Sequence, residues 1–312
     1  MSESLSYSAQ AELGGVYILS QRAGPSTGTP TFQEQGDLMY AINATFGDVR
    51  PIVLTPSSYE RSYRLIGEAL NLSDILQHPV IVLVDKQWSE SYVSIDLSDL
   101  TPADIHRGKL LMTPDTDYAR YTLTEDGISP YTIPGTEHGE QIAPSYEHDE
   151  YGATSELPVL KSRMTEKREQ KLLSIEDDSW GQTLSREGGY IYRSEAKRFL
   201  ILYGLQSSLI EAHLSGLERE DIGIITLERI SPFPQMIADF LRERASHIEE
   251  LVFVDGNISH QLYRHVSSAV GLDRYFAPSQ LRQAVNYHLY PWWSEDIDAI
   301  ISSSLDYAKS TQ

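Results

Sequence analysis

Three short runs in the first part of the chain are apolar at nearly every position: Gly15-Val16-Tyr17-Ile18-Leu19, Pro51-Ile52-Val53-Leu54 and Pro79-Val80-Ile81-Val82-Leu83-Val84. A strand with one face in water alternates apolar and polar residues, so runs this continuous suit strands covered on both faces. Helical patterns separate them. One spans Gln33 to Thr45, and in another Leu65, Ile66, Ala69, Leu70, Leu72, Ile75 and Leu76 recur at helical spacing. Ser57 and Glu60 have the spacing of a capping box at the start of this second helix. Strands joined through helices pair in parallel, so the chain opens as an α/β unit with a parallel sheet flanked by helices.

From about Ser89 to Arg193 turn residues, acidic clusters and tyrosines replace sustained apolar faces, and this stretch reads as a connector. Within it Ala119 to Leu123 is expected as a short strand and Lys161 to Leu173 as a charged helix. The α/β pattern then resumes: strand Phe199 to Tyr203, helix Ser207 to Leu217, strand Gly223 to Leu227, helix Gln235 to Arg244, strand Leu251 to Asp255, helix His260 to Ala269. The strand ends meet Gly204, Glu228 and Gly256, as expected where a carboxyl edge faces a ligand or partner. A chain of 312 residues exceeds one typical core, so two cores are expected. The implied division is 1–90, a connector over 91–195, and 196–312.

The chain carries 45 acidic against 25 basic side chains, a formal charge of −20, which repels a phosphate backbone or an anionic lipid surface and argues against nucleic-acid binding. It contains no cysteine, so it cannot hold an iron–sulfur cluster in the usual way, and any cluster must sit on another chain. No apolar run approaches the roughly 20 residues of a membrane span, and the first residues lack the features of a secretory signal. A cytoplasmic location is expected.

Directly after the first strand comes Gln21-Arg22-Ala23-Gly24-Pro25-Ser26-Thr27-Gly28-Thr29-Pro30-Thr31. Arginine offers a planar donor fork matched to a carboxylate, serine and threonine add hydroxyls, and glycine lets backbone N–H groups approach an anion. Such a loop suits a small carboxylate or a phosphate.

This loop, followed by Gln33-Glu34-Gln35-Gly36-Asp37-Leu38, closely resembles a signature of 2-oxoacid:ferredoxin oxidoreductases. The resemblance extends through Leu54-Thr55-Pro56, Thr124 to Pro130, Ile133 to Thr136, Glu147-His148-Asp149-Glu150, Met164 to Lys171, Ile230 to Pro234 and Val254 to Ser259. It implies the alpha subunit of an enzyme that decarboxylates a 2-oxoacid on thiamine diphosphate, passes electrons to ferredoxin and yields an acyl-coenzyme A. It also implies a partial pyrimidine-binding domain followed by a transketolase C-terminal-like domain. Arg22 and Thr31 then contact the substrate, Ser26 and Thr27 line the same loop, and His148 is a further substrate contact near the subunit interface. The family's Tyr-Pro-Ile-Thr-Pro segment and the acidic residue that binds the aminopyrimidine find no match, as though the chain began partway through that domain. The magnesium–diphosphate motif has no match either, which the resemblance assigns to a beta-subunit partner along with the iron–sulfur cluster. A non-catalytic interaction subunit on the same scaffold, or a partial gene product, is the alternative.

His138, Glu140, Glu147, His148, Asp149 and Glu150 share one acidic loop, but scattered spacing favours a solvated loop over a metal site. His260 and His265 are expected as core or surface histidines. Trp292 and Trp293 suit either an exposed patch or the end of the last core. No hydrolase nucleophile motif or phosphate-loop motif is present.

Overall fold

The computed structural model describes residues 1–176, 186–217, 219–286, 289–290 and 292–302. The continuous apolar runs become strands of two sheets. The first contains β1 (Gly15–Ser20), β2 (Ile52–Leu54), β3 (Pro79–Val84) and β7 (Arg229–Ser231) in the order β1-β3-β2-β7. The second contains β4 (Gly189–Tyr192), β5 (Arg198–Tyr203), β6 (Ile222–Leu227), β8 (Glu250–Asp255) and β9 (Leu281–Val285) in the order β4-β6-β5-β8-β9. β1, β2 and β3 pair in parallel, as do β5, β6, β8 and β9, while β7 and β4 join antiparallel.

Successive side chains of a strand point to opposite faces, and the packing follows that period. Val80, Val82 and Val84 of β3 meet Leu65, Ala69, Leu72 and Leu76 of α3 (Tyr59–Leu76), whereas Ile81 and Leu83 point the other way. A short helix, α4 (Lys86–Glu90), follows β3 and buries none of its residues. The second face of β3 belongs to the largest core cluster. It contains Phe199, Ile201, Ile225 and Phe253 of the second sheet as well, with helices α2 (Leu38–Ile42), α7 (Gln235–Glu243) and α8 (Gln261–Val270) packed against both. The outer face of the second sheet packs on α6 (Gln206–Ser215) and α9 (Ser294–Ile301), closed by Trp292, while Trp293 stays exposed. The central cluster draws on both sheets, because the interior strands of each are apolar on both faces. β7 adds a covalent tie, since the chain leaves β6 and immediately pairs with β2.

Three expectations fail locally. Gln33 to Thr45 is helical only in α2, because Gln35 is drawn into the interior between the sheets. Ala119 to Leu123 is a turn, not a strand: the Arg120 guanidinium reaches the Glu12 carbonyl at 2.7 Å and the Tyr121 hydroxyl reaches the Ile142 carbonyl at 2.9 Å. The cap of α3 is Ser58, whose hydroxyl accepts from the Arg61 N–H at 3.2 Å, while the Ser57 hydroxyl donates at 2.5 Å to the buried Glu228 carboxylate.

The connector is held at the amino end of the first sheet by buried charge. Glu12 lies between α1 (Ser2–Gln10) and β1 with φ of +50°. Its carboxylate accepts from Lys167 Nζ at 2.6 Å on each oxygen and from Lys171 Nζ at 3.1 Å, both on α5 (Pro158–Leu173). Burial alone would raise the Glu12 carboxyl, but Lys171, Lys167 and Arg120 outweigh it and hold the group well below the usual carboxylate range. Removing one partner of a buried ion pair leaves the others uncompensated. Glu12→Ala is therefore expected to cost about 3–5 kcal/mol at neutral pH, read from urea denaturation midpoints. Because the folded pKa lies below the unfolded one, the stability from Glu12 is complete above the unfolded value of 4.5 and is lost as pH falls further. An unchanged midpoint in the variant would contradict this role.

Candidate functional site

The carboxyl ends of β1 and β3 lie side by side: Ser20 faces Val84, and the Gln21 N–H donates to the Val84 carbonyl at 2.8 Å. From there the chain makes a tight loop. Ala23 and Thr29 form an antiparallel bridge with the Thr29 N–H 3.1 Å from the Ala23 carbonyl, and Phe32 closes the loop by accepting the Ala23 N–H at 3.1 Å. Gly28 has φ of +49°, and a Cβ there would stand 2.4 Å from the Ala23 carbonyl oxygen, so only glycine fits. Glu34 fastens the other side, accepting the Gly24 N–H at 3.0 Å.

The loop carries Arg22, Ser26, Thr27 and Thr31 together. Ser26, Thr27 and Thr31 are exposed, and Arg22 is half-buried. The Arg22 guanidinium donates through Nη1 to the Thr27 carbonyl, and among the described residues no carboxylate forms an ion pair with it. Burial and the neighbouring Glu34 push the Asp37 carboxyl upward against the pull of Arg22.

Beneath the loop lies a buried polar node that the sequence reading did not single out. Gln35 Nε2 donates to Asp85 Oδ1 at 3.0 Å and to the Tyr203 carbonyl at 3.2 Å, and Gln35 Oε1 accepts the Gly256 N–H at 3.1 Å. The Gln35 backbone N–H reaches the Gly256 carbonyl at 2.9 Å, and its carbonyl accepts from Asn257 Nδ2 at 2.9 Å. The second oxygen of Asp85 accepts the Leu205 N–H at 2.7 Å. A Cβ on Gly204 would meet Asp85 at 2.3 Å and one on Gly256 would meet Gln35 at 2.9 Å. These glycines thus make room for the node, and no ligand need reach them. Burial pushes the carboxyl of Asp85 up, and that of Asp255 up to about 7. The available signal was an aspartate at the carboxyl end of each of two apolar strands, Asp85 directly after Val84 and Asp255 as the last residue of β8.

His148 lies elsewhere. Its ring is fully buried against Tyr121 at 4.2 Å between centroids, and Nδ1–H donates to the Tyr146 carbonyl at 3.0 Å. The Tyr121 hydroxyl also reaches the Ala11 carbonyl at 3.3 Å, which puts this pair at the start of β1, whereas the Arg22 loop follows its end. Six strand residues separate the two regions, roughly 20 Å at the usual rise. His148 is thus not brought together with the Arg22 loop, and burial lowers its pKa. His265 is bonded to the Ile230 carbonyl at 2.7 Å.

The family described as pyruvate flavodoxin/ferredoxin oxidoreductase, thiamine diP-bdg, matches residues 1–166, more than half of the chain. The chain belongs to this family. It is 35% identical over 267 residues to the 2-oxoacid:ferredoxin oxidoreductase 2, subunit alpha, of Aeropyrum pernix, covering 84% of this chain and 40% of that relative. It is 27% identical over 278 residues to the 2-oxoglutarate synthase subunit KorA of Methanothermobacter thermautotrophicus, covering 87% and 70%. Among solved structures it resembles the 2-oxoglutarate:ferredoxin oxidoreductase from Magnetococcus marinus with 2-oxoglutarate, coenzyme A and succinyl-CoA bound. That match has a TM-score of 0.80 and 27% identity, and covers 97% of this chain and 50% of the other. The chain thus spans about two fifths of the Aeropyrum relative.

The donor set of the loop fits a small organic anion. Among the described residues no group of three or more His, Cys, Asp or Glu stands together to hold a metal ion. No described helix is long and apolar enough to cross a membrane.

The node carries a pH signature. The folded pKa of Asp255 lies above the unfolded one, so its contribution to stability is present below the ordinary value of 3.8 and is lost as pH rises through about 7. Asp255→Asn can still accept the Leu262 N–H, a 2.8 Å bond, without carrying a charge. It is expected to gain at least about 1.4 kcal/mol relative to the unaltered protein between pH values of roughly 5.5 and 8, measured by urea melts at both values. Parallel pH profiles for the two proteins would contradict the buried-acid reading.

Proposed function

We propose that this chain serves as the substrate-holding part of the alpha subunit of a cytoplasmic 2-oxoacid:ferredoxin oxidoreductase, acting with a beta-subunit partner. The observation that carries the reading is the Arg22 guanidinium, without a carboxylate partner among the described residues, on an exposed hydroxyl-lined loop whose base is fixed in the interior. Family membership and the names of the relatives support it.

In this reading Arg22 binds the anionic carboxylate of the 2-oxoacid, and a fixed cation fork holds it in one orientation. Thr31 donates to the oxo group, and Ser26 and Thr27 complete the rim. Thiamine diphosphate with Mg²⁺, when bound, would supply a nucleophilic carbon and an electron sink for the decarboxylation. The partner chain supplies the magnesium site and the iron–sulfur cluster, coenzyme A takes the acyl group, and ferredoxin takes the electrons. What this chain does is bind and orient the substrate.

Arg22→Ala, in the enzyme assembled with its partner, is expected to raise the KM for the 2-oxoacid by the equivalent of about 2–5 kcal/mol. Thr31→Ala is expected to do less. Oxoacid-dependent viologen reduction with pyruvate, 2-oxoglutarate and a branched oxoacid measures this. Wild-type kinetics for Arg22→Ala with all three would refute the carboxylate assignment.

A further inference from the structure

We infer that Gln35, held in register by Asp85, is the positioning residue of the Arg22 loop, a role that rests on reading that loop as the carboxylate holder. All four polar atoms of Gln35 are engaged: backbone N–H and carbonyl with Gly256 and Asn257, side-chain oxygen with Gly256, and side-chain nitrogen with Asp85 and Tyr203. Three different strands end at these partners: β3 just before Asp85, β5 at Tyr203 and β8 just before Gly256. Gln35 therefore fixes the base of the loop to the first sheet and to the second at once.

The chemistry selects an amide. Two acceptors, Asp85 Oδ1 and the Tyr203 carbonyl, lie on one side of the side chain and one donor, the Gly256 N–H, on the other. A carboxylate would set acceptor against acceptor, and an alanine would leave a buried charge on Asp85 short of a partner. From Gln35 the constraint passes to the substrate-facing atoms through a short path. Glu34 next to it takes the Gly24 N–H, and Phe32 takes the Ala23 N–H, so the two ends of the loop are pinned against each other within three residues of the node. Arg22 adjoins that pinned pair. Freeing Gln35 is expected to release the loop while α3 and the strand interiors keep their own packing.

The test is hydrogen exchange of the full chain without substrate, followed by mass spectrometry on peptides covering 22–34, β3 and β5. Gln35→Ala is expected to speed exchange at the Ala23, Thr29 and Phe32 amides by roughly tenfold to a hundredfold, the scale of lost hydrogen bonds to a charged group. The β3 and β5 peptides are expected to keep the exchange of the unaltered protein. Gln35→Glu and Asp85→Asn are each expected to loosen the loop. Combining the two reverses the polarity of the bond: the new amide at position 85 donates, the new carboxylate at position 35 accepts, and the amide oxygen at position 85 keeps the Leu205 N–H. This double variant is expected to restore protection beyond Gln35→Glu alone but not fully, because the carboxylate at position 35 still faces the Tyr203 carbonyl. In the assembled enzyme Gln35→Ala is expected to raise the oxoacid KM more than it lowers kcat. Unchanged exchange across 22–34 in Gln35→Ala would overturn the inference. So would an equal rise in the β3 and β5 peptides, or a double variant no better than Gln35→Glu alone. Exchange needs no substrate, so a failure of the Arg22 assignment would show only in the kinetics and would leave the exchange result readable.

Discussion

The Gln35 amide occupies the one place where the carboxyl ends of β3, β5 and β8 converge on the loop that follows β1. Burying a polar group costs free energy unless every donor and acceptor finds a partner, and here every one does. The surrounding features follow from that requirement. Gly204 and Gly256 lack side chains because Asp85 and Gln35 fill the space, and the segment from Gln33 leaves helical geometry because Gln35 must reach inward. α2 begins only after the node is satisfied.

The first sheet is thus fixed at its two ends by different means. At the amino end a single carboxylate, Glu12, gathers Lys167 and Lys171 of α5 and docks the connector, with His148 and Tyr121 packed beside it. At the carboxyl end neutral amide bonds and two buried acids hold the base of a loop whose tip stays open to solvent. The Glu12 carboxylate is buried, whereas the Arg22 guanidinium is half-buried on the exposed loop. The shared central layer ties the arrangement to the second sheet, so the loop depends on distant parts of the chain, as the bond from Gln35 to Gly256, 221 residues further on, shows.

Much of this was legible in the residues. The unbroken apolar runs marked the main strands of both sheets because burial on two faces leaves little room for ambiguity, and the hydroxyl and glycine content of Arg22 to Thr31 marked the loop. What escaped was non-local. Gln35 reads as helical by its neighbours, and only its bonds to Asp85, Tyr203 and Gly256 show why it is not. Ala119 to Leu123 has strand composition, yet Arg120 and Tyr121 are held in a turn by carbonyls of Glu12 and Ile142. The edge strands β4 and β9 carried no separate signal, because short edge segments take their shape from the strand beside them. His148 drew attention by type and by resemblance, but its surroundings are a buried tyrosine and a carbonyl.

The account stands on where the substrate carboxylate binds. A structure of the chain assembled with its cofactor-bearing partner and a bound 2-oxoacid tests this directly. The account predicts the carboxylate on the Arg22 guanidinium, with Thr31 at the oxo group and the Gln35 bonds to Asp85 and Gly256 unchanged. A carboxylate held by other residues, with Arg22 turned to solvent, would contradict it.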